Sequence, residues 1–288
     1  MPSLIDIRRR IRSVKNTQQI TKAMKMVSAA KLRRAQDRVL SSRPYARILA
    51  SVLANVAAAA PRDPSGAVIH PLLERREEKR IQLVLLTADR GLAGSFNSNL
   101  IKAAQRFLEE HSEQHVELIL VGRKGRDFFR KRNAPVTAEW TGISNKPSYE
   151  HAREVSSVLI ERFSAAEVDA VYLIFNEFKS VVAQKLVETR LLPTALPERT
   201  SAPLEYLMEQ PPAELLGALL PRYVEIEVYQ AMVESAAAEH AARMTAMDAA
   251  STNAAEVIEK LTLYMNRVRQ ASITKEIIEV VSGAAALE

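Results

Sequence analysis

The sequence predicts an α/β chain with long α: an antiparallel coiled coil of N- and C-terminal helices, plus an inserted central α/β (Rossmann-like) domain. Three observations carry that expectation. Arg222 to Ser282 holds 61 residues without a Gly or Pro. Ser3 to Arg43 is likewise free of both. Between these stretches the pattern switches to short apolar runs alternating with helical segments. As one helix, the C-terminal stretch would measure roughly 90 Å at 1.5 Å per residue. The 288-residue chain, packed as one ball, would have a radius of gyration of only about 19 Å. Such a helix cannot fit inside its own domain and must project from it.

The N-terminal helix is expected over residues 1–60. Pro2 suits a helix start, and Ser3 or Asp6 can serve the first unpaired amides. Leu4, Ile7, Ile11 and Val14 keep steps of three and four, followed by Ile20, Met24 and Val27, then Leu32, Ala35 and Val39. The seam shifts between these sets, which predicts an imperfect supercoil. Pro44 is expected to kink the helix, since Tyr45 to Ala60 remains helix-friendly.

Residues 61–213 are expected to form the central domain with its connections. Pro61, Pro64, Gly66 and Pro71 mark the boundary. Ile81–Thr87, His115–Gly122 and Val168–Asn176 are continuous apolar runs of strand length. Ser98–His111, Lys124–Arg132 and Ser148–Ala166 have helical patterns between them, which argues for βαβ units and a mainly parallel sheet. Val181–Leu191 is expected as an antiparallel addition. Pro193 to Pro212 carries five prolines and is expected to wrap back to the last helix.

Residues 214–288 complete the pair. Met244, Met247, Ser251, Ala254, Ile258, Leu261, Met265 and Val268 form a narrow coiled-coil seam that needs a second long helix. Charge favours the N-terminal helix as that partner. Residues 1–60 carry 13 Lys/Arg against Asp6 and Asp37, whereas residues 222–288 have a net charge of −4. Placing Arg8–Arg12 beside Glu256 and Glu259, and Arg33–Arg34 beside Glu234, makes facing residue numbers sum to about 267. Met24 would then lie near Arg243, and Ser28 near Glu239. Residues after Arg267 would have no partner helix in this chain.

Composition narrows the function classes. Without Cys there is no disulfide framework, thiol switch or cysteine metal site. The longest uncharged run, Ile48–Pro61, has 14 residues, too few to span a bilayer. The basic start is not followed by an apolar segment, so no signal peptide is expected. The loop Thr87–Asn97 stands where α/β proteins bind phosphates. It lacks both Gly-x-Gly-x-x-Gly and Gly-Lys-Thr/Ser spacing, so a structural turn is the expectation. Gly122–Gly125 has the same reading. The five histidines are scattered without metal-ligand spacing, and Gly-x-Ser-x-Gly is absent. No autonomous enzyme is indicated. Two alternatives stay open. One is a nucleic-acid-binding basic coiled coil using Arg8–Arg12 and Lys31–Arg34. The other is a small α/β enzyme with its site at Asp89–Asn97.

Three segments occur in a telling order: IRRRIRSVKNTQQITKAMKMVSAAKLRRAQ near the start, TADRGLAGSFN in the middle and RVRQASITKEIIEVVSGAAA at the end. Together they resemble the gamma subunits of F-type ATP synthases. The resemblance implies a central-stalk rotor that couples ion flow through a membrane rotor ring to ATP synthesis or hydrolysis. Its partners would be a hexamer of alpha and beta subunits, an epsilon subunit and a ring of c subunits. Catalysis would lie with the beta subunits, and no cofactor or metal is implied. Met24, Lys25, Arg269, Gln270, Thr274 and Glu276 would contact other subunits. Ile11, Val14, Ile20, Val27, Met244, Met247, Ile258, Leu261 and Met265 would pack the coiled coil. The implied location is peripheral, on the cytoplasmic face of a bacterial inner membrane. The chain departs from many relatives in Ala93, where they carry Cys, and Ser95, where they carry Gly.

Overall fold

The computed structural model describes residues 3–62, 68–196 and 208–285. Helix α1 (Leu4–Ala59) opens the chain. There follow β1 (Arg80–Leu86), α2 (Phe96–Glu110), β2 (His115–Val121), α3 (Arg123–Arg130) and β3 (Val136–Trp140). Then come α4 (Tyr149–Ser164), β4 (Ala170–Phe178), β5 (Gln184–Leu192) and the closing helix α5 (Pro212–Ala285). The chain divides into two compact units, residues 1–28 with 244–288, and residues 29–243. The division falls inside both long helices, not at the composition changes near residues 60 and 213.

In the larger unit the strand order is β3-β2-β1-β4-β5. Strands β3, β2, β1 and β4 are parallel, and β5 pairs antiparallel with β4. Period-two alternation gives the sheet two apolar faces. Ile81, Leu83 and Leu85 of β1 join Leu118 and Leu120 of β2 against Phe96, Leu100 and Phe107 of α2 and Phe129 of α3. Val84, Leu86, Ile119 and Val121 face the other way, onto Val155, Leu159 and Phe163 of α4. Leu53 and Val56 of α1 and Leu216, Leu220, Val224 and Val228 of α5 close that second core.

One expectation needs revision. Strand β3 was not anticipated, because it has five residues and buries only one face, with Ala138 at its centre. Helix α5 begins at Pro212, two residues before the expected 214, and runs through Gly217 and Pro221. Burial of Leu216, Leu220 and Val224 at steps of four offsets the helix-breaking cost of that proline, about 3 kcal/mol. Helix α1 likewise continues through Pro44. Most of the Pro193–Pro212 connection lies outside the described residues.

In the smaller unit the first turns of α1 run antiparallel to the C-terminal part of α5, as the paired contacts below establish.

Candidate functional site

In the smaller unit, α1 buries or half-buries Leu4, Ile7, Ile11, Val14, Gln18, Thr21, Met24, Lys25 and Ser28. The steps of three and four never break, but the seam turns polar after Val14. Ile20 and Val27 stand outside it, 60% and 56% exposed. The expected shift of the seam followed these two apolar residues, whereas the helix keeps its period and sets Gln18, Thr21 and Ser28 inward. The facing stripe of α5 is the expected one. Met247, Ser251 and Ala254 are buried, and Met244, Ile258, Leu261, Met265 and Val268 are half-buried.

The polar residues fix the register. The hydroxyls of Thr21 and Ser251 are 2.7 Å apart, and Gln18 Nε2 donates to the Ser251 carbonyl at 3.3 Å. Each hydroxyl also reaches a carbonyl of its own helix, Gln18 O at 3.0 Å and Met247 O at 2.8 Å. Lys25 Nζ meets Asp248 Oδ1 at 2.6 Å. These pairs sum to 269, 272 and 273, within one turn of the expected 267. The charge pairs that suggested the register are different ones. Among the described residues no ion pair joins Arg8–Arg12 to Glu256 or Glu259. In the larger unit Glu234 is met by Arg43 at 3.2 Å, not by Arg33 or Arg34. That pair sums to 277, beyond one turn from 267, because the Glu234 carboxylate also accepts the Phe178 amide at 3.1 Å and Arg43 reaches along the helix to it.

From Arg269 to Ser282 the helix is almost wholly exposed. Arg269, Gln270, Thr274 and Glu276 point into solvent within this chain. Thr274 Oγ1 donates to the Gln270 carbonyl at 2.9 Å, and Glu276 accepts from Ser272 Oγ at 3.3 Å. Ile273, Ile277, Ile278, Val280 and Val281 are between 48% and 73% exposed on the same stretch.

The loop after β1 occupies the switch point of the larger unit's sheet, where α/β folds hold ligands. Here the protein fills the anion position itself. Asp89 Oδ1 accepts the Arg123 amide at the start of α3 at 3.1 Å, and the Gly142 amide at 2.9 Å. Its Oδ2 accepts the Ser144 amide at 3.2 Å and hydroxyl at 2.9 Å. Burial alone would raise this carboxyl's pKa; the four hydrogen bonds overcome it and hold the group below the ordinary carboxylate range. A phosphate there would meet a carboxylate already holding its amides. Thr87 and Gly122 pack tightly beneath: a Cβ at Gly122, whose φ is +100°, would lie 2.0 Å from the Thr87 carbonyl oxygen. The enzyme alternative thus lacks an open site at Asp89–Asn97.

Arg243 of α5 ties this loop to the long helix. Its guanidinium donates to the carbonyls of Arg90 at 3.4 Å and Gly91 at 3.2 Å, and pairs with Glu239 at 2.7 Å. Nothing in the spacing of Glu239 and Arg243 foretold that clamp beyond their i, i+4 separation. No group of three or more His, Cys, Asp or Glu could hold a metal among the described residues. No described helix is long and apolar enough to cross a membrane.

A model of the ATP synthase family matches residues 3–287. The "ATP synthase gamma chain" of Solibacter usitatus is 65% identical over the full length of both chains. That of Pelotomaculum thermopropionicum is 52% identical, again over the full length of both. Among solved structures, the central stalk and c-ring of Tetrahymena thermophila mitochondrial ATP synthase aligns with a TM-score of 0.61 at 26% identity. The match covers 81% of this chain and 99% of that one. A chain of Euglena gracilis mitochondrial ATP synthase shares the fold, with a TM-score of 0.68 at 18% identity over 99% of this chain and 94% of that one. The chain belongs to the ATP synthase gamma-chain family.

Proposed function

We propose that this chain is the central-stalk rotor of a proton-translocating F-type ATP synthase, and that it performs no bond chemistry itself. The observation that carries the proposal is the end of α5. Here a single helix continues past its partner and leaves Ile273, Ile277, Ile278, Val280 and Val281 exposed. An apolar helix end without a partner calls for a surrounding sleeve. A hexamer of alpha and beta subunits supplies such a sleeve, and the catalytic sites belong to the beta subunits. Arg269, Gln270, Thr274 and Glu276 touch those subunits from the tip, and Met24 and Lys25 touch them lower on the pair. The sheet-bearing unit meets the epsilon subunit and the ring of c subunits. The assembly holds the chain as a peripheral subunit on the cytoplasmic face of a bacterial inner membrane.

Coupling follows from asymmetry. Two unlike helices present a different surface to each of three catalytic subunits, so each subunit settles in the state that the face before it binds best. Turning the pair passes those faces round. Nothing in the fold favours the nucleic-acid alternative, and the family membership argues against it. Reconstitution with the alpha, beta and epsilon subunits and the membrane sector tests the proposal. ATP-driven proton pumping that requires this chain is the expected outcome. Coupled pumping of equal rate without the chain overturns the reading.

A further inference from the structure

On α1 of the larger unit, Lys31, Arg34 and Arg38 follow at steps of three and four and so share one stripe of the helix. With Asn145 and Lys146 from the β3–α4 connection, and Val233 and His240 from α5, they line a cavity of about 170 Å³. A single water needs only ~10–15 Å³ by the same measure, so there is room for a polyatomic ion and its waters. Four cationic side chains border this hollow, and no carboxylate does.

The cations lack a carboxylate at ion-pair distance, although Lys31 feels the charge of Glu239. Lys31 Nζ donates to the neutral Asn145 Oδ1 at 2.8 Å. Among the described residues none of the four enters an ion pair. The buried carboxylate nearby in sequence, Glu239, is already held by Arg243 at 2.7 Å. The floor is apolar or neutral: Ala35, Val233 and Ala236 are buried, and His240 is 2% exposed with no hydrogen bond to its Nδ1. Like charges gathered over a low-dielectric floor repel one another unless an anion joins them. We propose that this cavity binds a tetrahedral phosphate dianion, either free or as the end group of a small organic phosphate. Lys31, Arg34, Arg38 and Lys146 grip its oxygens. Since these residues come from α1 and the connection between β3 and α4, the bound anion ties two elements of the unit together over a floor that α5 completes.

Titration calorimetry on the full-length chain tests this, with inorganic phosphate and adenosine monophosphate as separate probes at constant ionic strength. Saturable 1:1 binding is expected, weakened at least tenfold in an Arg34→Gln/Arg38→Gln double variant. An Arg33→Gln/Arg47→Gln double variant removes the same charge from exposed positions outside the cavity, and its affinity should stay within twofold of the parent. Thermal melts should show a phosphate-dependent rise in Tm for the parent and the control but not for the cavity variant. Whichever probe binds more tightly identifies the source of the phosphate and supports the site. No saturable binding of either probe overturns the proposal. So does an equal loss in both double variants, which would mean diffuse attraction to a basic helix.

Discussion

The two parts of α5 bury different kinds of surface. Between Leu216 and Ala241 it buries Val224, Val228, Met232, Val233 and a run of alanines, many of them against the sheet and its covering helices. After Arg243 it buries Met247, Ser251 and Ala254 and then no further residue among the described ones. One helix is therefore a core element in the larger unit and a narrow, half-wet seam in the smaller. The first kind of burial provides stability: a fully buried Leu or Val is worth about 1.5–3 kcal/mol. The second kind provides register, because a hydroxyl pair has few satisfactory positions along a helix while aliphatic side chains slide. A unit built for stability can fold alone, and one built for register leans on what surrounds it.

Breaking the larger unit should have the greatest effect. Phe107 is fully buried, in contact with the Tyr172 ring at a centroid distance of 5.1 Å. Phe107→Ala should cost about 3–5 kcal/mol in urea-induced unfolding of the chain. A loss under about 1 kcal/mol would mean that this core is not where stability resides.

Acid should reach the same unit through His240. Burial, with the charges of Arg243 and Lys31 adding to it, lowers its pKa to about 4. Its folded-state proton affinity is thus below that of the unfolded chain, near 6.5. Above pH 6.5 both states are neutral there and stability is unaffected. As pH falls from 6.5 toward 4, the unfolded state takes up a proton that the folded state refuses, and stability drops. At about 1.36 kcal/mol for each tenfold difference in affinity, the loss is on the order of 3 kcal/mol. His240→Gln should flatten the pH dependence over this window relative to the parent, whatever its stability at neutral pH. Parallel profiles for the two proteins would refute the assignment.

At the far end of α5 the expected effect moves from this chain to its complex. Gln270→Leu and Arg269→Leu should leave the isolated chain's unfolding curve unchanged, since both side chains are exposed. In the assembled complex each should impair hydrolysis or pumping, because a lost charge-assisted contact costs about 1.5–3 kcal/mol. Wild-type assembly, hydrolysis and pumping in both variants would make the patch solvated helix and nothing more.

Sequence legibility follows the same divide. Strands β1, β2 and β4 announce themselves because both of their faces are buried, leaving apolar runs such as Leu83–Leu86 after the single polar residue Gln82. Strand β3 sits at the sheet edge with one partly buried face, so Val136, Ala138 and Trp140 leave too short a pattern. In the seam, Ile20 and Val27 mislead because apolar character is the usual sign of an inward residue. Constant spacing from Val14 to Gln18, Thr21 and Ser28 was the better guide. The contact between Arg243 and the Arg90 and Gly91 carbonyls joins residues 153 and 152 positions apart only through the folded sheet, and no local pattern encodes it.

Within the seam, the hydroxyl pair should matter more than the ion pair beside it. Thr21→Val removes one partner, but Ser251 keeps its bond to the Met247 carbonyl at 2.8 Å, so the cost should be about 0.5–1.5 kcal/mol. The Lys25–Asp248 pair is shorter, at 2.6 Å, yet its side chains are 43% and 55% exposed. Water screens such a pair, and ordering a lysine side chain consumes most of the remaining attraction, so Lys25→Ala should cost about 0–1 kcal/mol. A double-mutant cycle with Asp248→Ala isolates the pair from other effects of each substitution. Its coupling energy should shrink further in high salt, while that of a Thr21→Val and Ser251→Ala cycle should not. A Lys25–Asp248 coupling above about 2 kcal/mol and insensitive to salt would reverse the ranking, and would make charge, not the polar seam, the determinant of register.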